Sequence, residues 1–336
     1  MNKDRYKKMY YNRCGKSGLK LPSVSLGLWH NFGSSSSFDN MREMVQVAFD
    51  NGITHFDLAN NYGPTQGEAE INFGRILKTT LYGYRDELVI STKAGYTMWD
   101  GPYGDWGSRK HLLSSLDQSL ERMGLEYVDI FYHHRMDTET PLEETMGALA
   151  HAVRTGKALY AGISNYDSAT TRSAIEIMRE LNCPLIVNQV RYSILDRTIE
   201  EDGMLHVAKY DGLGIAVFSP LEQGILTDRY LKGIPADSRA SKPGPFLTEE
   251  KITPDVVKKA KKLNEIAQAR KQTLAQMALS WVLKSPNVTS VIIGASSTEQ
   301  ILENIEAIKN TTFSREELDL IDAISIAPPS KASAEK

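Results

Sequence analysis

The sequence predicts a (β/α)8 TIM barrel, the α/β fold in which eight parallel strands, each followed by a helix, close into a cylinder. Short runs rich in β-branched residues alternate with longer amphipathic stretches along the 336 residues, a pattern typical of a parallel sheet. Eight such runs fall within about 300 residues, close to the usual size of this barrel. A doubly wound open sheet is the alternative that the same alternation allows.

The predicted strands are short apolar runs, and helical patterns fill most of the gaps between them. The strands cover residues 24–29, 54–59, 88–94, 127–134, 158–165, 185–192, 214–220 and 288–294. The helical patterns cover residues 38–52, 68–79, 108–124, 141–156 and 168–182. Gly52 and Gly156 come just past two predicted helix ends, where glycine is favoured, and Pro141 suits a first helical turn.

Two segments add to a bare barrel. Residues 10–22 predict a β-hairpin that turns at Gly15–Gly18 and covers the N-terminal mouth of the barrel. Residues 224–250, after the seventh strand, form a long loop rich in Gly, Pro and Ser, and loops of this length are usually functional. We expect a single domain over residues 1–336, with a disordered polar tail at 327–336.

The composition is that of a soluble globular protein, 41% apolar and 24% charged. A net charge of −3 and a pI of about 6.2 give no polycationic face for nucleic acid. The two cysteines lie far apart and no Cys/His spacing suits a metal, so we expect neither a disulfide nor a metal, which fits the cytoplasm. The first twenty residues hold no apolar signal region, and no stretch has the length of a membrane helix.

The most informative residues are Asp57, Tyr62, Lys93 and His134. Each lies at, or just after, the C-terminal end of a predicted strand, where barrel enzymes build their active sites. A free tyrosine has a pKa of about 10, and a nearby ammonium favours the phenolate and lowers that pKa. The set therefore predicts a phenol that donates a proton, with the acid fixing the lysine and the histidine orienting a carbonyl. The simpler alternative is a structural Asp–Lys salt bridge with two polar neighbours.

Strand periodicity restricts which histidine belongs to this set. Successive side chains of a strand point to opposite faces, so only one of His133 and His134 can enter the barrel mouth. This alternation argues against a metal site built from both histidines, and we choose His134.

Eight stretches of the sequence, taken in order, resemble one known family. The stretches that carry this resemblance are GITHFDLANNYG, GEAEINFGRIL, VISTKAG, YVDIFYHHR, GKALYAGISNY, NQVRYSILDR, FSPLEQGILT and VTSVIIGASSTEQILENIEAI. In this order, over roughly residues 10–325, they resemble the aldo-keto reductases. The pattern is closest to the branch that includes potassium-channel β-subunits and, through SLGLWHNFG, STKAGYTMW and GSRK, to bacterial L-glyceraldehyde 3-phosphate reductases.

The resemblance implies a reductase that binds NADPH without a Rossmann fold, and no GxGxxG follows a strand here. It makes Tyr62 the proton donor. Asp57 and Lys93 then adjust the acidity of the Tyr62 phenol, and His134 positions the substrate carbonyl. It assigns Ser164, Asn165 and Gln189 to the nicotinamide carboxamide and Phe218, where relatives carry Tyr or Trp, to the nicotinamide ring. The remaining positions implied for the cofactor are Trp29, Asp57, Ser219, Leu221, Gln223, Gly224, Arg229, Arg239, Gly294, Ser296, Gln300, Glu303 and Asn304.

One departure bears on cofactor choice. Many members of the wider family carry Lys and Arg at the positions of Gly294 and Gln300, to grip the 2′-phosphate of NADPH. This chain lacks both, as does the channel-subunit branch. NADPH therefore stays the expected cofactor, but the preference for NADPH over NADH is less secure.

The expected substrate is a small aldehyde, such as L-glyceraldehyde 3-phosphate or methylglyoxal, bound by Trp29, Tyr62, Trp99, His134 and Arg135. Arg109 or Arg135 is the expected anchor for a substrate phosphate, because a small anion needs a cationic partner. The alternative is a nicotinamide-binding regulatory subunit of a channel with little turnover. A homo-oligomer is compatible with the resemblance, and we expect no nucleic-acid or membrane partner.

Overall fold

The computed structural model describes residues 1–235 and 247–326. Eight strands, each paired in parallel with the next, form a closed barrel in which the last strand pairs with the first. This closure confirms the predicted barrel and excludes the open sheet. With the hairpin strands numbered first, the strands are β1 (Tyr11–Arg13), β2 (Lys20–Pro22), β3 (Val24–Gly27), β4 (His55–Asp57), β5 (Val89–Ala94), β6 (Val128–His133), β7 (Ala158–Ser164), β8 (Leu185–Arg191), β9 (Gly214–Phe218) and β10 (Val288–Ile293).

Helices surround the barrel and bury their apolar faces against it. All five predicted helical patterns form helices, and six further helices lie in the C-terminal half of the described chain. They are α1 (Phe38–Asp50), α2 (Glu68–Thr79), α3 (Arg109–Met123), α4 (Leu142–Arg154), α5 (Ser168–Glu180), α6 (Thr198–Glu201), α7 (Met204–Val207), α8 (Pro254–Ala269), α9 (Leu274–Leu283), α10 (Thr298–Ile305) and α11 (Arg315–Ser325). Pro141 precedes α4 as its cap, one residue earlier than the sequence predicted.

The N-terminal hairpin closes the lower mouth of the barrel. β1 and β2 pair antiparallel, and Cys14 and Leu21 reach into the barrel with no exposed surface. There they pack against Ile130 and Ile186 of the strands, and the Cys14 thiol donates to the Ile186 carbonyl at 3.3 Å. The hairpin and the apolar side chains packed against it therefore close the lower end of the barrel, which leaves the carboxyl ends of the strands as the open end.

Two predicted features fall partly or wholly outside the described residues. The loop after β9 is described up to residue 235 and again from 247, and Ile225, Tyr230, Leu247 and Ile252 form a small apolar cluster there. The predicted tail at 327–336 lies outside the described residues. Within the described part, no helix combines the length and apolar character that crossing a bilayer requires.

Candidate active site

A buried lysine lies at the centre of the polar cluster at the carboxyl end of the barrel. Lys93 has no exposed surface, and its Nζ donates to Asp57 Oδ2 at 2.6 Å and to the Leu58 carbonyl at 2.7 Å. The third contact of Nζ is the Tyr62 hydroxyl at 3.3 Å. The structure thus places two of the other three predicted residues, Asp57 and Tyr62, within hydrogen-bonding distance of the Lys93 ammonium group.

The strand register explains this meeting. Asp57, the last residue of β4, lies opposite Ser91 of β5, and Lys93 points to the same face two residues further along β5. The chain then turns, because the Tyr62 N–H bonds to the Ala59 carbonyl, and this turn carries the phenol over Lys93. Residues distant in sequence meet because parallel strands end at one rim.

The acidity of Tyr62 differs from the sequence prediction. Burial raises its pKa well above the usual value of a phenol, and the negative charge of Asp57 and the nearby Tyr96 act in the same direction. We expected Lys93 to bring this pKa below that of a free phenol, which is wrong for the protein alone, because removal from water disfavours the phenolate. Burial also lowers the pKa of Lys93, against the pull of Asp57.

The two consecutive histidines face different surroundings. The His134 ring lies edge-on to Tyr62, with ring centroids 5.8 Å apart, and edge-on to Tyr96 at 4.7 Å. His133 points away from the barrel, where its Nδ1 is 2.6 Å from the Tyr166 hydroxyl. Burial, together with the charge of Lys93, holds the pKa of His134 well below its usual range, so this imidazole is neutral at pH 7.

The positions implied for the nicotinamide carboxamide cluster at the ends of β7 and β8. The Ser164 hydroxyl donates to the Gln189 carbonyl at 2.9 Å, and the Asn165 amide donates to the His134 carbonyl at 3.0 Å. The Gln189 side chain donates to Asp57 Oδ1 at 2.9 Å, which ties this cluster to the lysine. Asn165 and Gln189 are therefore bonded directly to two residues of the predicted catalytic set, His134 and Asp57.

The loop after β9 has an unusual backbone. Ser219, Glu222 and Gln223 all adopt positive φ, as does Gly224. Left-handed residues can direct backbone N–H groups into concave sites for anions. In this loop the Glu222 and Gly224 N–H groups bond to the Ser219 and Leu221 carbonyls. Gln223 Oε1 is buried without a hydrogen-bond partner, an orphaned acceptor of the kind that a bound ligand satisfies.

Phe218 and Leu221, also implied for the cofactor, lie in this same segment. Phe218 ends β9 and is partly buried, and the Leu221 carbonyl accepts from the Gly224 N–H and the Leu226 N–H. Arg229 follows in a short 3-10 helix, where its N–H bonds to the Thr227 hydroxyl. Arg239 lies outside the described residues.

The remaining cofactor positions lie between the end of β10 and the last turn of α10. Gly294 is exposed, and a methyl group added to it would meet no atom within 4 Å. Gln300 Oε1 accepts from the Ser296 N–H at 2.9 Å. Glu303 is exposed, whereas Asn304 is buried one residue further along α10. The exposed positions of this set, which begins next to the carboxyl end of β10, are thus Gly294, Ser296, Gln300 and Glu303.

Aromatic rings and one arginine surround the rim near His134. Trp29 lies 6.1 Å from the Tyr62 ring, between centroids. The Arg135 guanidinium lies 4.4 Å from the Tyr96 ring centroid and 3.6 Å from that of Trp106, and it bonds to Asp105 at 2.7 Å. Both the pair with Asp105 and the stacking hold this cation in place.

Two other predicted substrate residues lie further out. Trp99, in the loop that follows β5, contacts His111 of α3 with ring centroids 5.0 Å apart and ring planes tilted by 55°. The Arg109 guanidinium donates to the Gly147 carbonyl of α4 at 3.2 Å. Its side chain is thus engaged in the helical layer, and the structure does not bring it to the phenol.

Sequence reasoning missed several residues that the structure brings to the site. Tyr96 and Asp105 belong to the loop after β5, from which the sequence predicted only Trp99 as a substrate residue. Ser91 and His55 share the inward face of their strands with Lys93 and Asp57, a periodicity that could have found them. Among the described residues, no group of three or more acidic, Cys or His side chains could hold a metal ion.

A barrel whose open rim holds a buried ammonium, a phenol and a neutral imidazole has the groups that general acid catalysis at a barrel active site requires. The family model described as "Aldo/keto reductase family" matches residues 23–326. The chain belongs to the aldo-keto reductase family, as its sequence predicted, and is an oxidoreductase.

Individual relatives agree with this assignment. The chain is 56% identical over 324 residues to L-glyceraldehyde 3-phosphate reductase of Escherichia coli (strain K12), covering 96% of this chain and 94% of the relative. It is 37% identical over 305 residues to a probable voltage-gated potassium channel subunit beta of Arabidopsis thaliana, covering 89% and 91%. The crystal structure of a thermostable aldo-keto reductase in complex with the inhibitor epalrestat matches with a TM-score of 0.72 at 30% identity, covering 94% of this chain and all of the other.

Proposed function

We propose that this protein reduces small aldehydes to alcohols with NADPH, with Tyr62 as the proton donor and L-glyceraldehyde 3-phosphate as the preferred substrate. The observation that carries the proposal is the contact between the buried ammonium of Lys93 and the Tyr62 hydroxyl at 3.3 Å. A phenol in this position can give up a proton and leave behind a phenolate beside a fixed positive charge.

The roles of the side chains follow from their charges. When bound, the reduced nicotinamide supplies the hydride that adds to the carbonyl carbon. Tyr62 transfers its proton to the carbonyl oxygen, and its raised pKa keeps the phenol protonated until that oxygen becomes strongly basic. Asp57 keeps Lys93 charged at 2.6 Å. The neutral His134 donates a hydrogen bond that orients the carbonyl oxygen without competing as an acid.

The residues around the rim fit a nicotinamide dinucleotide. Ser164, Asn165 and Gln189 supply amide and hydroxyl groups, which are what a carboxamide needs. The positive φ values at residues 219 and 222–224 and the orphaned Gln223 Oε1 suit the pyrophosphate and its sugar hydroxyls. Ser296, Gln300 and Asn304 offer polar contacts to the adenosine end. Since Gly294 and Gln300 carry no charge, we propose a preference for NADPH that is smaller than in relatives with cations there.

We propose Arg135 as the anchor for a substrate phosphate. It lies next to His134 in sequence, and its guanidinium contacts two aromatic rings. Its Nε donates to the Gly95 carbonyl and its Nη2 to Asp105, which leaves Nη1 for a phosphate oxygen. The relative at 56% identity is named for a phosphorylated aldehyde. Arg109, bonded to Gly147 of α4, serves as the matched arginine outside the site.

A substrate and cofactor panel tests the proposal. The catalytic efficiency should be highest for L-glyceraldehyde 3-phosphate with NADPH, and lower for L-glyceraldehyde, methylglyoxal and NADH. Arg135→Met should raise the KM for the phosphorylated aldehyde at least tenfold, by loss of about 1.5–3 kcal/mol from a charged hydrogen bond, with little change for methylglyoxal. Arg109→Met should leave both unchanged. Equal KM values in the two arginine variants would contradict the phosphate role.

The second candidate is a nicotinamide-binding regulatory subunit. It is favoured by the 37% identity to a probable potassium channel subunit beta. The retained Lys93–Tyr62 contact speaks against it, because binding alone does not need a proton donor. Cofactor binding without reduction of any aldehyde in the panel would favour this alternative over the enzyme.

A further inference from the structure

A line of hydrogen bonds runs through the barrel interior to Asp57 from below. The Ser290 and Ser25 hydroxyls lie 2.6 Å apart, and Ser25 Oγ lies 2.9 Å from His55 Nδ1. His55 Nε2 lies 2.9 Å from Ser91 Oγ, whose hydroxyl donates to Asp57 Oδ1 at 2.7 Å. All five side chains are at most 1% exposed, so no bulk water can replace these partners.

The chemistry of the groups fixes the direction of each bond. The Asp57 carboxylate, paired with Lys93, can only accept, so the single hydrogen of the Ser91 hydroxyl goes to it. Ser91 Oγ must then accept from His55, which requires the tautomer with the proton on Nε2. Burial lowers the pKa of His55 to about 4, so the ring carries one proton and its Nδ1 accepts from Ser25.

We propose that His55 is a positioning residue, which holds Asp57 through Ser91 so that the other carboxylate oxygen faces Lys93. This role rests on the proposed function, because it matters only where Lys93 supports Tyr62. Asp57 Oδ1 accepts from Ser91 and Gln189, and Oδ2 is left for Lys93. Each bond of the line points its hydrogen toward the carboxylate, so the interior stabilises the charge without adding a second cation.

The first experiment measures the tautomer of His55 in the wild-type protein. Nitrogen NMR on protein labelled with 15N-histidine distinguishes the two neutral tautomers and the imidazolium, and the signals missing in His55→Gln identify His55 among the seven histidines. We expect the neutral ring with the proton on Nε2 from pH 7 down to about pH 5. A proton on Nδ1, or a charged ring at pH 7, would overturn the proposal. This measurement needs no turnover, so it stands apart from the test of the enzyme.

The second experiment breaks the line at Ser91. Ser91→Ala keeps both His55 and Asp57, and kcat should fall about tenfold, as expected for a hydrogen bond to a charged group. KM and the Kd for NADPH should stay within about twofold, since neither ligand touches Ser91. Ser115→Ala removes the same atom from a fully buried site in α3 and should leave kcat unchanged.

Conservative replacement separates positioning from packing. His55→Gln keeps an N–H donor directed at Ser91 and should retain more of kcat than His55→Leu, which has none. A Ser91→Ala protein with the kcat of the wild type would overturn the proposal, as would equal loss in His55→Gln and His55→Leu. If the wild type itself reduces no aldehyde, the proposed function fails. The measured tautomer of His55 then remains the test of whether the hydrogen bonds run toward Asp57 as proposed.

Discussion

The buried pair of Lys93 and Asp57 can be compared with an exposed pair of the same geometry. Lys157 Nζ and Asp117 Oδ1 are also 2.6 Å apart, but about half of each of these side chains is exposed. Asp57→Asn keeps an oxygen for Lys93 and removes the negative charge, which leaves an ammonium buried without a counter-charge. Breaking a buried pair in this way costs about 3–5 kcal/mol. Asp117→Asn should cost less than about 1 kcal/mol, because water screens the exposed pair.

The pH dependence of the Asp57→Asn deficit provides a second check. Without Asp57 the pKa of Lys93, already lowered by burial, falls further below its unfolded value of about 10.4. As pH rises toward 10, the folded protein gives up this proton before the unfolded chain does, so the deficit relative to the wild type should shrink. Urea unfolding followed by circular dichroism at pH 7 and pH 9 measures both effects. Equal losses in the two Asn variants, or a deficit that grows with pH, would refute the electrostatic reasoning.

Two further predictions concern stability. Burial lowers the pKa of His55 to about 4, of His133 to about 3 and of His134 well below its usual value. Stability should therefore be full above pH about 6.5 and fall toward pH 4, as the unfolded chain takes up these protons, and His133→Gln should lower the measured proton uptake by about one. Gly15→Ala should cost at least about 1–3 kcal/mol in urea titrations, because φ is +56° and the new methyl would lie 2.1 Å from a backbone oxygen, whereas Gly18→Ala meets no atom and should be neutral.

The barrel could be predicted from the sequence because its signals are local. Each strand is a short apolar run between helical patterns, and all eight runs became strands in the predicted order. The observed strands end earlier than the apolar runs, as at Asp57, yet the Leu58 and Asn60 N–H groups still bond to carbonyls of β5. The apolar pattern marks burial, and burial extends past the last residue of the regular ladder.

The contacts within the site depend on the fold and were predicted less completely. The sequence could place Lys93 and Tyr62 near each other through strand ends, but it could not weigh burial against charge, and the direction of the Tyr62 pKa shift was therefore wrong. The hydrogen bond from Arg109 to Gly147 of α4 depends on how α3 and α4 pack, and no sequence motif predicts that packing. His55 did not enter the predicted site, because its partners, Ser25 and Ser91, come from two other strands.

The proton-donating role of Tyr62 is the central claim, and single-turnover reduction by Tyr62→Phe tests it most directly. The variant removes one oxygen and keeps the ring, and Tyr82→Phe removes the same atom from a side chain that is 80% exposed. With NADPH bound, the rate of its oxidation by a small aldehyde should fall by a factor of about 10²–10⁴ in Tyr62→Phe, with cofactor affinity and unfolding midpoint unchanged. Tyr82→Phe should match the wild type. A Tyr62→Phe protein that reduces the aldehyde at the wild-type rate would contradict the account.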